Sequence, residues 1–148
     1  MANDASVTVQ ATVLPDEIAS VISGSMTVTP ADANDKWYYK KTDVQTTTAD
    51  LISGNYIDYD GVNTGTGMTA IDAAADTIKF LFVKNTDANN AIYLSLNGAA
   101  TKAATEIKLA AGHSIALSPN LTLVQNLEAI SDTAEVTCIV AALIDDTA

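Results

Sequence analysis

The sequence predicts an all-β protein, and three observations carry that reading. Apolar residues recur at every second position: in Ser6 to Leu14, Val7, Val9, Ala11 and Val13 alternate with Thr8, Gln10 and Thr12, the period of a half-buried strand. About eight to ten such short runs follow one another, with turn residues roughly every 8–12 positions, as in sandwiches and barrels. Helical patterning is scarce. Met68 to Ala75 and Ala99 to Thr105 are rich in alanine, yet neither holds an apolar stripe long enough to pack as a helix.

Taken in order, Pro15-Asp16-Glu17 breaks the first strand, and Ile18 to Ile22 suits a short helical turn. Ser25 to Thr29 is a second short strand, stopped by Pro30 and the turn-rich Ala31 to Asp35. Lys36 to Thr48 is β-branched and aromatic, with Trp37, Tyr38, Tyr39 and Val44, and suits a long extended strand. Between Asp50 and Asp76 the glycines and asparagines leave only Tyr56 to Tyr59 as strand-like. A loop of that length in a small domain has a task or a partner.

From Thr77 the pattern sharpens. Ile78, Phe80 and Phe82 alternate with Lys79, Leu81 and Val83, so this strand is apolar on both faces and central. After the turn cluster Asn85 to Asn90, Ala91 to Leu96 is the returning strand, closed by Asn97-Gly98. Glu106 to Leu109, His113 to Leu117, Leu127 to Ile130 and Glu135 to Ile144 supply four more strands. No fixed-period repeat is visible, which argues against a solenoid or propeller.

Composition narrows the function. The chain has 148 residues and is 48% hydrophobic, too apolar for a disordered acidic tail. Aromatics are only 5%, so aliphatic side chains must build the core. The net charge is −11, and all seven basic residues are lysines. Residues 1–76 carry 3 Lys and 11 acids, residues 77–148 carry 4 Lys and 7 acids, so no basic arm hides within the acidic average. Lacking arginine, the residue shaped for phosphates and base edges, it is expected to bind no nucleic acid. No positive stretch leads into an apolar one at the N-terminus. No apolar run reaches the roughly 18 residues that span a bilayer, so neither export nor membrane contact is expected.

The chemically capable residues are isolated. His113 has Ser114 as its immediate neighbour, and adjacent strand residues point to opposite faces, so the two do not form a nucleophile and base. Cys138 alternates in phase with Val136 and Val140 and reads as a small buried hydrophobe; a single cysteine also excludes an internal disulfide. Asp58 to Asn63 resembles a calcium loop, but Asn63 and Thr69 stand where an EF-hand requires Gly and Glu. Gly61, Gly65 and Gly67 lack the Gly-Lys-Ser/Thr ending of a phosphate cradle. The sequence therefore predicts no catalytic residues, no cofactor and no metal.

Val83-Lys84-Asn85-Thr86, Ala91 to Gly98, Ile107 to Gly112, Ile115-Ala116-Leu117 and Leu127 to Ser131, followed by the long apolar strand ending at Ile144-Asp145-Asp146, together resemble a module of tailed-bacteriophage virion proteins. The resemblance spans roughly the last 65 residues and is carried by strands and turns. It implies a jelly-roll-like β-sandwich of the kind found in small capsid decoration, or cement, proteins, with no catalytic residues to carry over.

These readings combine into an expectation. Residues 1–14 form an N-terminal β-arm able to add to a neighbour's sheet, and residues 15–148 form a single β-sandwich domain. The function expected is structural and non-enzymatic: decorating a phage capsid as a homotrimer, by contacts with the major capsid protein. The location expected is the virion surface after assembly in a host cytoplasm. A tail, neck or fibre component, including a carbohydrate-binding module, is the alternative, and a small hydrolase centred on His113 is a third. The interface candidates are Val7, Val9 and Val13 on the arm, Trp37, Tyr38 and Tyr39 as aromatic anchors, and Tyr56 and Tyr59 in the Asp50–Asp76 loop.

Overall fold

The computed structural model describes residues 4–13, 20–32, 34–56, 70–103, 106–120 and 122–147. Among them the chain is all-β, with eleven strands and a single 3-10 turn. It divides into two units, residues 1–32 and 33–148.

The first unit is a two-stranded antiparallel ribbon of β1 (Ala5–Val13) and β2 (Ser20–Val28), in unbroken register from Ala5 opposite Val28 to Val13 opposite Ser20. The expected arm of residues 1–14 thus supplies only half of the element. The helical turn expected over Ile18 to Ile22 gives way from Ser20 onward to strand. Ladder bonds to a β-branched partner outweigh the weak helical preference of so short a run.

The second unit holds β3 (Asp35–Val44), β4 (Ala49–Asp50), β5 (Thr77–Asn85), β6 (Ile92–Ser95), β7 (Ile107–Leu109), β8 (Ser114–Leu117), β9 (Thr122–Leu123), β10 (Glu128–Ser131) and β11 (Val136–Asp145), with the 3-10 turn at Val124–Asn126. One sheet runs β3-β11-β5-β8, with β9 also beside β5; the other runs β4-β10-β6-β7. All pairings are antiparallel, and four of them are nested. β3 pairs with β11, β4 with β10, β5 with β8, and β6 with β7. β11–β5 and β10–β6 then join the outer pairs to the inner ones.

Both sheets feed one hydrophobic core. Tyr38 and Val44 of β3, Leu81 and Val83 of β5, and Val136, Cys138, Val140, Ala142 and Ile144 of β11 come from one sheet; Ile92, Leu94, Leu109 and Ala129 come from the other. A shared core between two antiparallel sheets is a β-sandwich arrangement. Cys138 is buried within it, as its alternation with two valines predicts.

Two sequence expectations change here. The strand after β5 does not return beside it: β6 lies in the other sheet, between β10 and β7. The phase of β5 also shifts. Leu143 pairs with Phe80 and Ile144 with Ile78, so Lys79 is an extra, bulged residue. Ile78 therefore shares the core face with Leu81 and Val83. Phe80 turns to the opposite face, where its ring meets Trp37 edge-on at 6.4 Å.

A buried amide fixes the loops beyond β5. Asn85 shares its Nδ2 hydrogens among the carbonyls of Asn90 (2.8 Å), Leu109 (3.2 Å) and Ala110 (3.2 Å), and its Oδ1 accepts from the Asp87 backbone N–H. Replacing Asn85 with alanine strips those buried carbonyls of their donor. Urea denaturation of Asn85→Ala is expected to show a loss of about 2–3 kcal/mol; a loss below about 0.5 kcal/mol would mean these loops are held by something else.

Candidate interaction surfaces

The hairpin register sorts its side chains by chemistry. Residues directly opposite in an antiparallel pair share a face, so Ala5, Val7, Val9 and Ala11 lie with Ile22, Gly24, Met26 and Val28. Ser6, Thr8 and Gln10 lie with Ser23, Ser25 and Thr27 on the reverse. The reverse is uniformly exposed, while Ala5, Val7, Met26 and Val28 are half-buried. Farther along the ribbon the apolar face opens: Val9 is 60% and Ile22 61% exposed. Val13 closes β1 opposite Ser20. The sequence reading missed Ile22, Gly24 and Met26, although Ile22-Ser23-Gly24-Ser25-Met26-Thr27-Val28 already alternates in period two.

The aromatic run on β3 is split by the same alternation. Tyr38 is in the core and offers no ring to a partner, which corrects its place among the anchors. Trp37 lies on the outer face, in a row with Leu143 and Phe80; Tyr39 forms the next row with Ala141, Phe82 and Ala116. Phe80 and Leu143 are buried on that face, whereas Tyr39 is 41% exposed. Lys41, Lys84 and Ser114, with Ile139 among them, form the row after that.

Tyr56 is likewise a core residue and not a surface anchor, while Tyr59 and the Asp58–Asn63 stretch lie outside the described residues. The Tyr56 hydroxyl donates to Asp76 Oδ2 at 2.9 Å; the same oxygen accepts from the Asp72 backbone N–H at 2.9 Å, and Oδ1 accepts from Thr147 N–H at 3.1 Å. This buried carboxylate pins both flanks of the long loop, and the last residues of the chain, to the body. Nearby, the bulged Lys79 reaches Asp35 at 2.6 Å and Asp145 at 3.1 Å.

The chemically capable residues stand apart. His113 is exposed in a turn; its N–H donates to Ala110, and its carbonyl accepts from Asn85 N–H. Burial, with the charges of Asp43 and Asp87, pushes the Cys138 thiol up to about 12, far from a reactive thiolate. A polar groove of about 540 Å³ beside β3 mixes Lys40 and Lys41 with Asp43, Asp50 and Glu135. Among the described residues no group of three or more His, Cys, Asp or Glu is placed to hold a metal ion, and no helix is long and apolar enough to cross a membrane. Comparisons with protein-family models, curated proteins and solved structures give no match.

Two groups join the Cys138 thiol in setting the alkaline limit of stability. Burial, then the hydrogen bond to Asp76 and the surrounding carboxylate charges, raises the Tyr56 phenol above its ordinary value. The hydrogen bond to Asp35, opposed by burial and aided by Asp145, raises Lys79. Both hold their protons to higher pH when folded than when unfolded. Their contribution is complete below about pH 10, where unfolded tyrosine and lysine begin to deprotonate, and is lost as pH rises through the native values. Thermal melts are expected to begin falling at about pH 8.5, where the unfolded Cys138 thiol ionises while the buried one stays protonated. They are expected to fall further above about pH 10, this second fall being shallower for Tyr56→Phe; an identical second fall in the variant would contradict this assignment.

Proposed function

We propose that this chain is a non-enzymatic structural protein of a phage virion. It decorates the capsid surface as a homotrimer and stabilises the shell by contacts between subunits. The observation that carries the reading is the division of labour along the chain. Among the described residues, those of the second unit bury most of their apolar side chains, chiefly in one core, while β1 and β2 form a ribbon with an apolar face open at Val9 and Ile22. Such a ribbon is marginal in isolation, and an exposed apolar strip of this kind marks a contact surface. The nested pairing of β3 with β11, β4 with β10, β5 with β8 and β6 with β7 supports a jelly-roll reading of the sandwich. The sequence resemblance to virion modules over Val83 to Asp146 points the same way.

The strongly acidic balance, −11 over the chain, suits a protein that must stay dispersed before assembly. A tail or fibre part that binds glycans is the second reading. It is favoured by Tyr39, exposed on the outer face of the same strand as Trp37.

Quantitative mass spectrometry of purified particles from the virus that encodes this chain separates these readings. The shell role predicts a copy number comparable to that of the major capsid subunit. A handful of copies per particle would move the chain to the tail, and its absence would remove it from the virion.

A further inference from the structure

We propose that the apolar face of the β1–β2 ribbon is a self-association surface, on which ribbons of other copies of this chain pack with Val9 of one copy seated over Gly24 of another. This deepens the structural role above, on which it rests, by naming the arm's partner.

Gly24 is the informative residue. It sits in mid-strand, directly opposite Val9, in a register with no bulge or slip. A Cβ added there meets nothing within 4 Å, and its backbone is not in the left-handed region. Neither crowding within the ribbon nor backbone geometry therefore calls for glycine. A glycine inside a strand weakens it and often marks the close approach of another backbone; nothing within the ribbon makes that approach, and on this proposal it comes from another copy. The same face thus presents a projecting side chain, Val9, beside a side-chain-free gap, Gly24. A knob beside a gap lets Val9 of each copy seat over Gly24 of the next, a head-to-tail contact that can close into a ring such as a trimer.

Charge selects a second copy as the occupant. Of the residues from Ala5 to Ala31 only Asp16 and Glu17 are charged, in a chain of net charge −11. Two copies meeting elsewhere on the acidic surface face like-charge repulsion, which this ribbon avoids. A differently charged partner would gain nothing from a strip without charges. Ribbon on ribbon also lets each open face cover another, burying Val9 and Ile22.

The test uses the purified full-length chain with no shell present, measured by light scattering across a concentration series and by circular dichroism. The wild-type chain is expected to form a discrete oligomer. Val9→Asp with Ile22→Asp is expected to weaken it by about a hundredfold or more, the scale of two buried aliphatic side chains, with the β-sheet signal of the body unchanged. Gly24→Val is expected to weaken association at least tenfold without lowering the thermal midpoint of the body, since no described residue of the ribbon obstructs the added side chain. A wild-type chain monomeric at every concentration, as when the ribbon serves only a shell protein, overturns the proposal. So do oligomers of unchanged size and affinity in both variants. Neither result bears on the particle copy number, so self-association and the virion role fail independently.

Discussion

β11 is paired with β3 along its ten residues and with β5 from Cys138 to Asp145, and the body of the protein is organised around that double ladder. Val136, Cys138, Val140, Ala142 and Ile144 face the core from it, with no exposed surface among them. A central strand can be this apolar because both of its edges are paired, leaving no backbone group to seek another chain. At about 1.5–3 kcal/mol for each large aliphatic side chain buried, this strand anchors the sheet. The shorter strands, several only two to four residues long, are ordered by packing beneath it.

The nested pairings follow from this. Once β3 and β5 flank β11, the chain between them must cross to the second sheet and return. β4, β6, β7 and β10 make that sheet. Two buried polar side chains hold the crossings: Asn85 binds the turns after β5 and β7, and Asp76 ties Tyr56, Asp72 and Thr147 together. Each has its hydrogen-bonding capacity met by several partners, the condition under which a buried polar group specifies a structure rather than weakening it.

Much of this was legible in period two. The strands β1, β3, β5, β7, β8, β10 and β11 stand where alternation and turn residues put them, and the burial of Cys138 follows from its phase. What failed has identifiable causes. The bulge at Lys79 moves Phe80 to the opposite face from Ile78, and a bulge inserts one residue without altering composition. β4 and β9, at two residues each, are too short to show any period. The partner of β6 depends on a crossing between sheets, which no local pattern encodes. On the candidate surface, Val7 and Val9 were visible, but their cross-strand neighbours Met26 and Gly24 were not, because β2 was read as a turn followed by a shorter strand. Residue type alone suggests Tyr38 and Tyr56 as anchors, yet alternation and the Asp76 hydrogen bond commit them to the interior.

On the proposed self-association, the two units bury apolar surface in different ways, one within the chain and one between chains. Hydrogen–deuterium exchange of the full-length protein, followed as a function of dilution, tests that contrast most directly. The account predicts that amides of β11 stay protected at every concentration, while those of β1 and β2 are protected at high concentration and exchange freely once the chain is dilute. Ribbon protection that does not change on dilution would contradict it.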